Sequence, residues 1–133
     1  MGQDTKAPIL ITDDSPTICT TLSMVLQPLG HPVLISPNGM ATMRLAMQNR
    51  PAICILDYDL SDGDLKGDAI ARLLVAQGVP VMLYSTLEPK KLAELADKIG
   101  CAWHCKVNTT FPMVREHIRK LIEGEGRECL AGQ

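Results

Sequence analysis

An α/β fold is predicted, a (βα)5 arrangement in which one doubly wound, five-stranded parallel sheet carries helices on both faces. Three observations predict it. Short apolar runs recur along the 133-residue chain without the polar alternation of a half-exposed strand. Each run is followed by a longer segment with apolar residues at helical spacing. The unit repeats five times within a length that suits one domain. Right-handed crossovers then bring every strand end that feeds a helix to one edge of the sheet, where ligands of such sheets bind.

Ile9 to Thr12 is the first strand, ended by Asp13 and Asp14. Ser15-Pro16 starts a helix, with Ser as cap and Pro in the first turn. Ile18, Leu22, Val25, Leu26 and Leu29 form its stripe, and Gly30 closes it. Val33 to Ser36 is the second strand and Pro37-Asn38-Gly39 a turn. The helix from Ala41 to Asn49 buries Leu45 and Ala46 and stops before Pro51. Ala52 to Leu56 is the third strand, ended by Asp57. Tyr58 to Asp68 holds four Asp and two Gly, a loop leading into a helix whose inner side is Ile70, Leu73 and Leu74. Gly78 ends that helix. Val81 to Tyr84 is the fourth strand, followed by Ser85 and Thr86. Pro89 to Ile99 turns Leu92, Leu95, Ala96 and Ile99 inward, with Gly100 as a left-handed cap. Ala102 to Cys105 is a weak fifth strand, and Phe111 to Ile122 a last helix with Val114, Ile118, Leu121 and Ile122 as its stripe. The domain is expected over residues 7–123, with a frayed polar tail at 124–133.

A chain that is 46% hydrophobic can bury a core, and one Phe, one Trp and two Tyr make that core aliphatic. A net charge of -2 gives no general attraction to nucleic acid. The five cysteines (Cys19, Cys54, Cys101, Cys105 and Cys129) are odd in number and lack a tight repeated pair, against a disulfide scaffold. Cys101 and Cys105 flank His104 but have no second Cys/His pair to complete a zinc site, and Cys54 reads as core. Met24, Met40, Met43 and Met47 read as helix packing. His31, His104 and His117 share no spacing. No signal peptide is visible, and no run approaches the ~20 apolar residues that cross a bilayer. The expectation is a cytoplasmic protein with no membrane or direct nucleic-acid partner.

The residues beyond the strands carry the chemistry. Asp13 and Asp14 follow the first strand, Asp57 the third, Ser85 the fourth and Lys106 the fifth. Three carboxylates at one rim repel one another, and a hard divalent cation relieves this. Mg²⁺ prefers such oxygen ligands. An Asp carboxylate is also a covalent phosphoryl acceptor. Phosphoryl transfer needs neutralisation of the transferred oxygens, which a cation, the Lys106 ammonium and the Ser85 hydroxyl supply. Singly, each residue has a plain reading: an acidic helix start, a strand-ending turn, a cap, a solvated lysine. The ordered combination reverses those readings.

The chain resembles the receiver domains of two-component response regulators, from about Ala7 to Ile122. The resemblance rests on Asp13-Asp14, Asp57, Gly63 in the loop beyond it, Ser85 and Lys106, in that order. It implies the flavodoxin-like strand order 2-1-3-4-5, with Asp57 as phosphoacceptor. It implies Mg²⁺, with Mn²⁺ as a substitute, on Asp14, Asp57 and the Asp59 backbone carbonyl, and on Asp13 partly through water. Lys106 is implied to contact the acceptor and then the phosphoryl group, with Ser85 moving in to a phosphoryl oxygen. Trp103, three residues before Lys106, stands where the family often has a switching aromatic. Implied partners are a histidine kinase or phosphotransfer protein and a downstream protein target. A homodimer through the face of the fourth helix, fifth strand and fifth helix is also compatible. The chain is expected not to be an enzyme beyond assisting its own phosphorylation and dephosphorylation. With no DNA-binding or catalytic segment after Ile122, a stand-alone regulator is expected, although a piece of a longer regulator also fits.

Four positions depart from the family pattern: Val107 in place of the usual Pro, Ser61 in place of Pro, Asp59 two past the acceptor and Leu87 two past Ser85. The last two bear on phosphate lifetime. Two other readings compete. Asp57-Tyr58-Asp59-Leu60-Ser61 resembles the DxD segment of haloacid-dehalogenase-type phosphatases, with Asp57 as nucleophile and Asp59 as acid/base. That segment normally follows the first core strand, whereas two strand-helix units precede it here. The other is a receiver-like binding module that works without phosphate.

Overall fold

The structure, a computed structural model, describes residues 6–58 and 67–124. Strands β1 (Ile9–Thr12), β2 (Val33–Ser36), β3 (Ile53–Leu56), β4 (Val81–Ser85) and β5 (Ala102–Cys105) form one parallel sheet in the order β2-β1-β3-β4-β5. Helices α1 (Pro16–Leu26), α2 (Gly39–Asn49), α3 (Gly67–Ala76), α4 (Pro89–Ile99) and α5 (Phe111–Ile122) connect and follow them. The expected flavodoxin-like (βα)5 architecture is present. The chain order reverses between β1 and β3, and the carboxyl ends of those neighbours form the crevice where such sheets bind ligands.

Side-chain alternation divides the apolar strands between two cores. Leu10, Cys54, Leu56 and Leu83 pack with Ile70, Leu74, Leu92 and Ala96 from α3 and α4. Ile9, Ile11, Ile53, Ile55 and Met82 pack with Leu22, Leu26, Val114 and Ile118 from α1 and α5. Both faces of the central strands are covered, which is why β3 is apolar throughout and β1 is apolar up to Thr12. At the β1–β2 end, three buried hydroxyls join strand to helix. Thr12 Oγ1 lies 2.6 Å from Thr42 Oγ1, which lies 2.9 Å from Ser36 Oγ. Buried polar groups of this kind are tolerable because they satisfy one another.

The element boundaries follow local chemistry. Ser15 Oγ accepts from the Ile18 amide and caps α1. The helix gives way to a 3-10 turn at Gln27–Leu29, because Pro28 has no amide to donate and its ring crowds the preceding turn. α2 begins at Gly39, two residues earlier than expected, with Asn38 Oδ1 accepting from the Ala41 amide at 2.8 Å. α3 begins at Gly67, so its inner face is Gly67, Ile70, Ala71 and Leu74. Leu73, expected inside, is 45% exposed. The methionines also differ from expectation. Met24 is 66% and Met40 61% exposed, Met47 is exposed as well, and Met43 alone of the four packs against a core.

β5 is locked to α5 by a pair that sequence spacing conceals. His104 Nδ1 lies 2.9 Å from His117 Nδ1, and His104 Nε2 lies 2.7 Å from Thr109 Oγ1. One ring nitrogen must donate and the other accept, so the pair is satisfied when both rings are neutral. Burial, with His117 beside it, pushes His104 down to about 4, and burial also lowers His117. A histidine whose folded pKa lies below its unfolded value favours the unfolded chain as protons are taken up. Its stabilisation is complete above pH ~6.5 and is lost as the pH falls toward about 4. Thermal melts between pH 7 and 4 are therefore expected to fall more steeply for the natural chain than for a His104→Gln/His117→Gln variant. Parallel curves would contradict the pairing.

Candidate functional site

The site is built at the carboxyl edge by extending the sheet ladder one residue past its strands. The Asp57 amide donates to the Thr12 carbonyl at 2.9 Å, setting Asp57 beside Asp13. The Lys106 amide donates to the Ser85 carbonyl at 2.7 Å, setting Lys106 beside the end of β4. Four of the residues read from the sequence are thus placed by backbone pairing, before any side-chain contact.

Asp13 and Asp57 are both about 5% exposed, whereas Asp14 is exposed. One carboxylate oxygen from each of the three lies within 4.8 Å of the others. Asp13 Oδ1 accepts from the Ser15 amide at 2.9 Å, and its Oδ2 accepts from Lys106 Nζ at 2.9 Å. The same ammonium is 3.7 Å from Asp57 Oδ2. Lys106 therefore spans both buried carboxylates and sits closer to Asp13. Three carboxylates and one ammonium leave the cluster anionic, with oxygen donors of which one is open to solvent. That donor set fits a hard divalent cation.

Ser85 is fully buried as the last residue of β4, and its Oγ accepts from the Leu87 amide at 3.0 Å. Register pairs Leu83 with Trp103 and Ser85 with Cys105, so Ser85 and Trp103 share one face of the sheet. Trp103 is half-buried there, against the core that Leu87 also joins. Asp59, Ser61 and Gly63 lie outside the described residues, as do Cys129 and most of the expected 124–133 tail. Among the described residues Cys19, Cys54, Cys101 and Cys105 are free thiols.

The loop after Lys106 accommodates Val107 by using the donor a proline would lack: the Val107 amide donates to Cys105 Sγ at 3.4 Å. Asn108 adopts φ 60° to turn the chain, a conformation Asn tolerates. Thr110 then caps α5 through the Met113 amide.

Two features of the site were not singled out from the sequence. Tyr84 lies beneath Lys106, with Nζ 5.2 Å from the ring centroid. Gly67 is the other. A Cβ there would lie 2.7 Å from the Tyr58 Cα and carbonyl oxygen and 3.0 Å from the Asp57 carbonyl oxygen. The first turn of α3 thus presses on the backbone just past β3. The signal in the sequence is a glycine at the first position of a helix, where only a residue without a Cβ permits so close an approach. Gly67→Ala is expected to cost about 1–3 kcal/mol in urea unfolding and to shift the Asp57 and Tyr58 amide resonances. Unmoved amides at full stability would contradict this contact.

No family model matches the sequence. Protein PilH of Pseudomonas aeruginosa is 34% identical over 121 residues, covering 87% of this chain and 94% of PilH. The phyllosphere-induced regulator PhyR of Methylorubrum extorquens is 30% identical over 93 residues, 68% of this chain, and the match spans only 34% of PhyR. Among solved structures, a CheY-like response regulator receiver domain protein from Methanospirillum hungatei superposes with a TM-score of 0.78. That match is at 15% identity and covers 93% of this chain and 99% of the other. Chemotaxis protein CheY4 of Vibrio cholerae superposes with a TM-score of 0.75 at 20% identity, over 88% and 99%. The chain belongs to the CheY-like receiver domains of two-component response regulators, and its function is that of a phosphoacceptor response regulator.

Proposed function

We propose that Asp57 is the residue that takes the phosphoryl group, with a histidine kinase or histidine phosphotransfer protein as donor. The observation that carries this is the buried Asp57 carboxylate sharing Lys106 with Asp13 at the strand switch point. Asp13, Asp14 and Asp57 would hold Mg²⁺, with the Asp59 carbonyl as a further ligand beyond the described residues. The bound cation would neutralise charge on the transferred oxygens. An Asp57 carboxylate oxygen attacks phosphorus, a P–O bond forms, and the donor's P–N bond breaks. The imidazole leaves with that electron pair. Lys106 Nζ, already within 3.7 Å of Asp57, pairs with the phosphoryl group. The Ser85 hydroxyl donates to a phosphoryl oxygen.

Trp103 then responds on the face it shares with Ser85, changing the surface of α4, β5 and α5 that meets a downstream protein or a second copy. Residues 7–123 would form the receiver, acting through protein contact.

Intact-mass spectrometry after mixing with a small-molecule phosphodonor tests the assignment. A Mg²⁺-dependent gain of one HPO₃ unit is expected, absent in a folded Asp57→Asn variant; labelled phosphate retained by that variant would sink the reading. Asp14→Ala is expected to weaken Mg²⁺ binding roughly tenfold, ~1.4 kcal/mol, in a titration followed by Trp103 fluorescence. Unchanged affinity would remove Asp14 from the cation site.

A further inference from the structure

Tyr84 plays no part in the mechanism above, yet it lies directly before Ser85 and under the site's lysine. Its side chain is buried on the α1/α5 side of the sheet, among Ile11, Met82 and Val114. Lys106 Nζ stands 5.2 Å over the ring centroid, inside the ~6 Å reach of a cation–π contact. The ammonium therefore has three anchors: Asp13 Oδ2 at 2.9 Å, Asp57 Oδ2 at 3.7 Å and the Tyr84 ring. The ring is itself backed by His104, whose centroid lies 6.2 Å away at a 59° tilt. His117 and Thr109 fix that imidazole in turn.

A leucine at position 84 would fill the core but offer the ammonium no attraction. A lysine on a flexible four-carbon stem gains most from such an anchor, because so many rotamers lead elsewhere. We propose that Tyr84 is a positioning residue for Lys106: its ring keeps the ammonium over the two carboxylates, within reach of a phosphoryl group on Asp57. This rests on Asp57 as phosphoacceptor and Lys106 as its cation.

The test uses the full chain with Tyr84→Phe, Tyr84→Leu, Lys106→Met and the Lys106→Met/Tyr84→Leu double variant. Ring current is expected to displace the Lys106 Hε resonances upfield in the natural chain and in Tyr84→Phe. In Tyr84→Leu they should return to ordinary lysine values. The rate of Asp57 phosphorylation by a small-molecule phosphodonor is expected to fall roughly 3- to 10-fold in Tyr84→Leu. It should stay near the natural rate in Tyr84→Phe and fall no further when Tyr84→Leu is added to Lys106→Met. An equal loss with and without Lys106 would make Tyr84 merely structural and overturn the proposal. Undisplaced Hε resonances would overturn it whether or not Asp57 is phosphorylated. Displaced resonances in a chain that takes no phosphoryl group would instead defeat the Asp57 reading, and the positioning role with it.

Discussion

One ammonium crosses the sheet edge from β5 to reach carboxylates on β1 and β3. Without Lys106, Asp13 and Asp57 would stand buried beside each other with like charge, an arrangement that penalises ionisation of either. Their closeness is imposed by the ladder, since the Asp57 amide is already committed to the Thr12 carbonyl. The fold thus builds a concentrated anionic site that one lysine only partly neutralises. That residual charge makes the edge receptive to a divalent cation and then to a phosphoryl group.

The supports of this edge differ from strand to strand. β1 is tied to β2 and α2 through the Thr12, Thr42 and Ser36 hydroxyls. β3 is pressed from above by Gly67, which brings the start of α3 onto the Asp57–Tyr58 backbone. β4 and β5 are joined at their ends by the Lys106 amide, and β5 is fastened to α5 by the histidine pair. Two surfaces leave Lys106 in opposite directions: Ser85 and Trp103 on the α4 side, Tyr84 and His104 on the α5 side. The ammonium itself touches the Tyr84 ring, on the α5 side of the sheet.

The fold was legible because doubly covered strands must be apolar at every position, and Ile9 to Thr12, Ile53 to Leu56 and Val81 to Ser85 are nearly so. The site residues were legible because each stands where an apolar run stops. Helix faces were less so. Leu73 and Leu74 are adjacent in sequence, and only the phase set by the start of α3 decides which is buried. Exposed methionines cannot be told from packed ones by spacing when both lie on amphipathic helices. The His104–His117 contact joins residues on different elements with no shared motif, and Lys106's preference for Asp13 depends on a side-chain path that sequence does not specify. Tyr84 reads as an ordinary strand residue until the lysine is seen above it.

The most direct test is a crystal structure with Mg²⁺ and beryllofluoride, a mimic of the phosphoryl group. The beryllium is expected on an Asp57 carboxylate oxygen, with Lys106 Nζ drawn from its 2.9 Å contact with Asp13 toward a fluoride. Beryllofluoride bound away from Asp57, with Lys106 still paired to Asp13, would contradict Lys106 as the cation that receives the phosphoryl group.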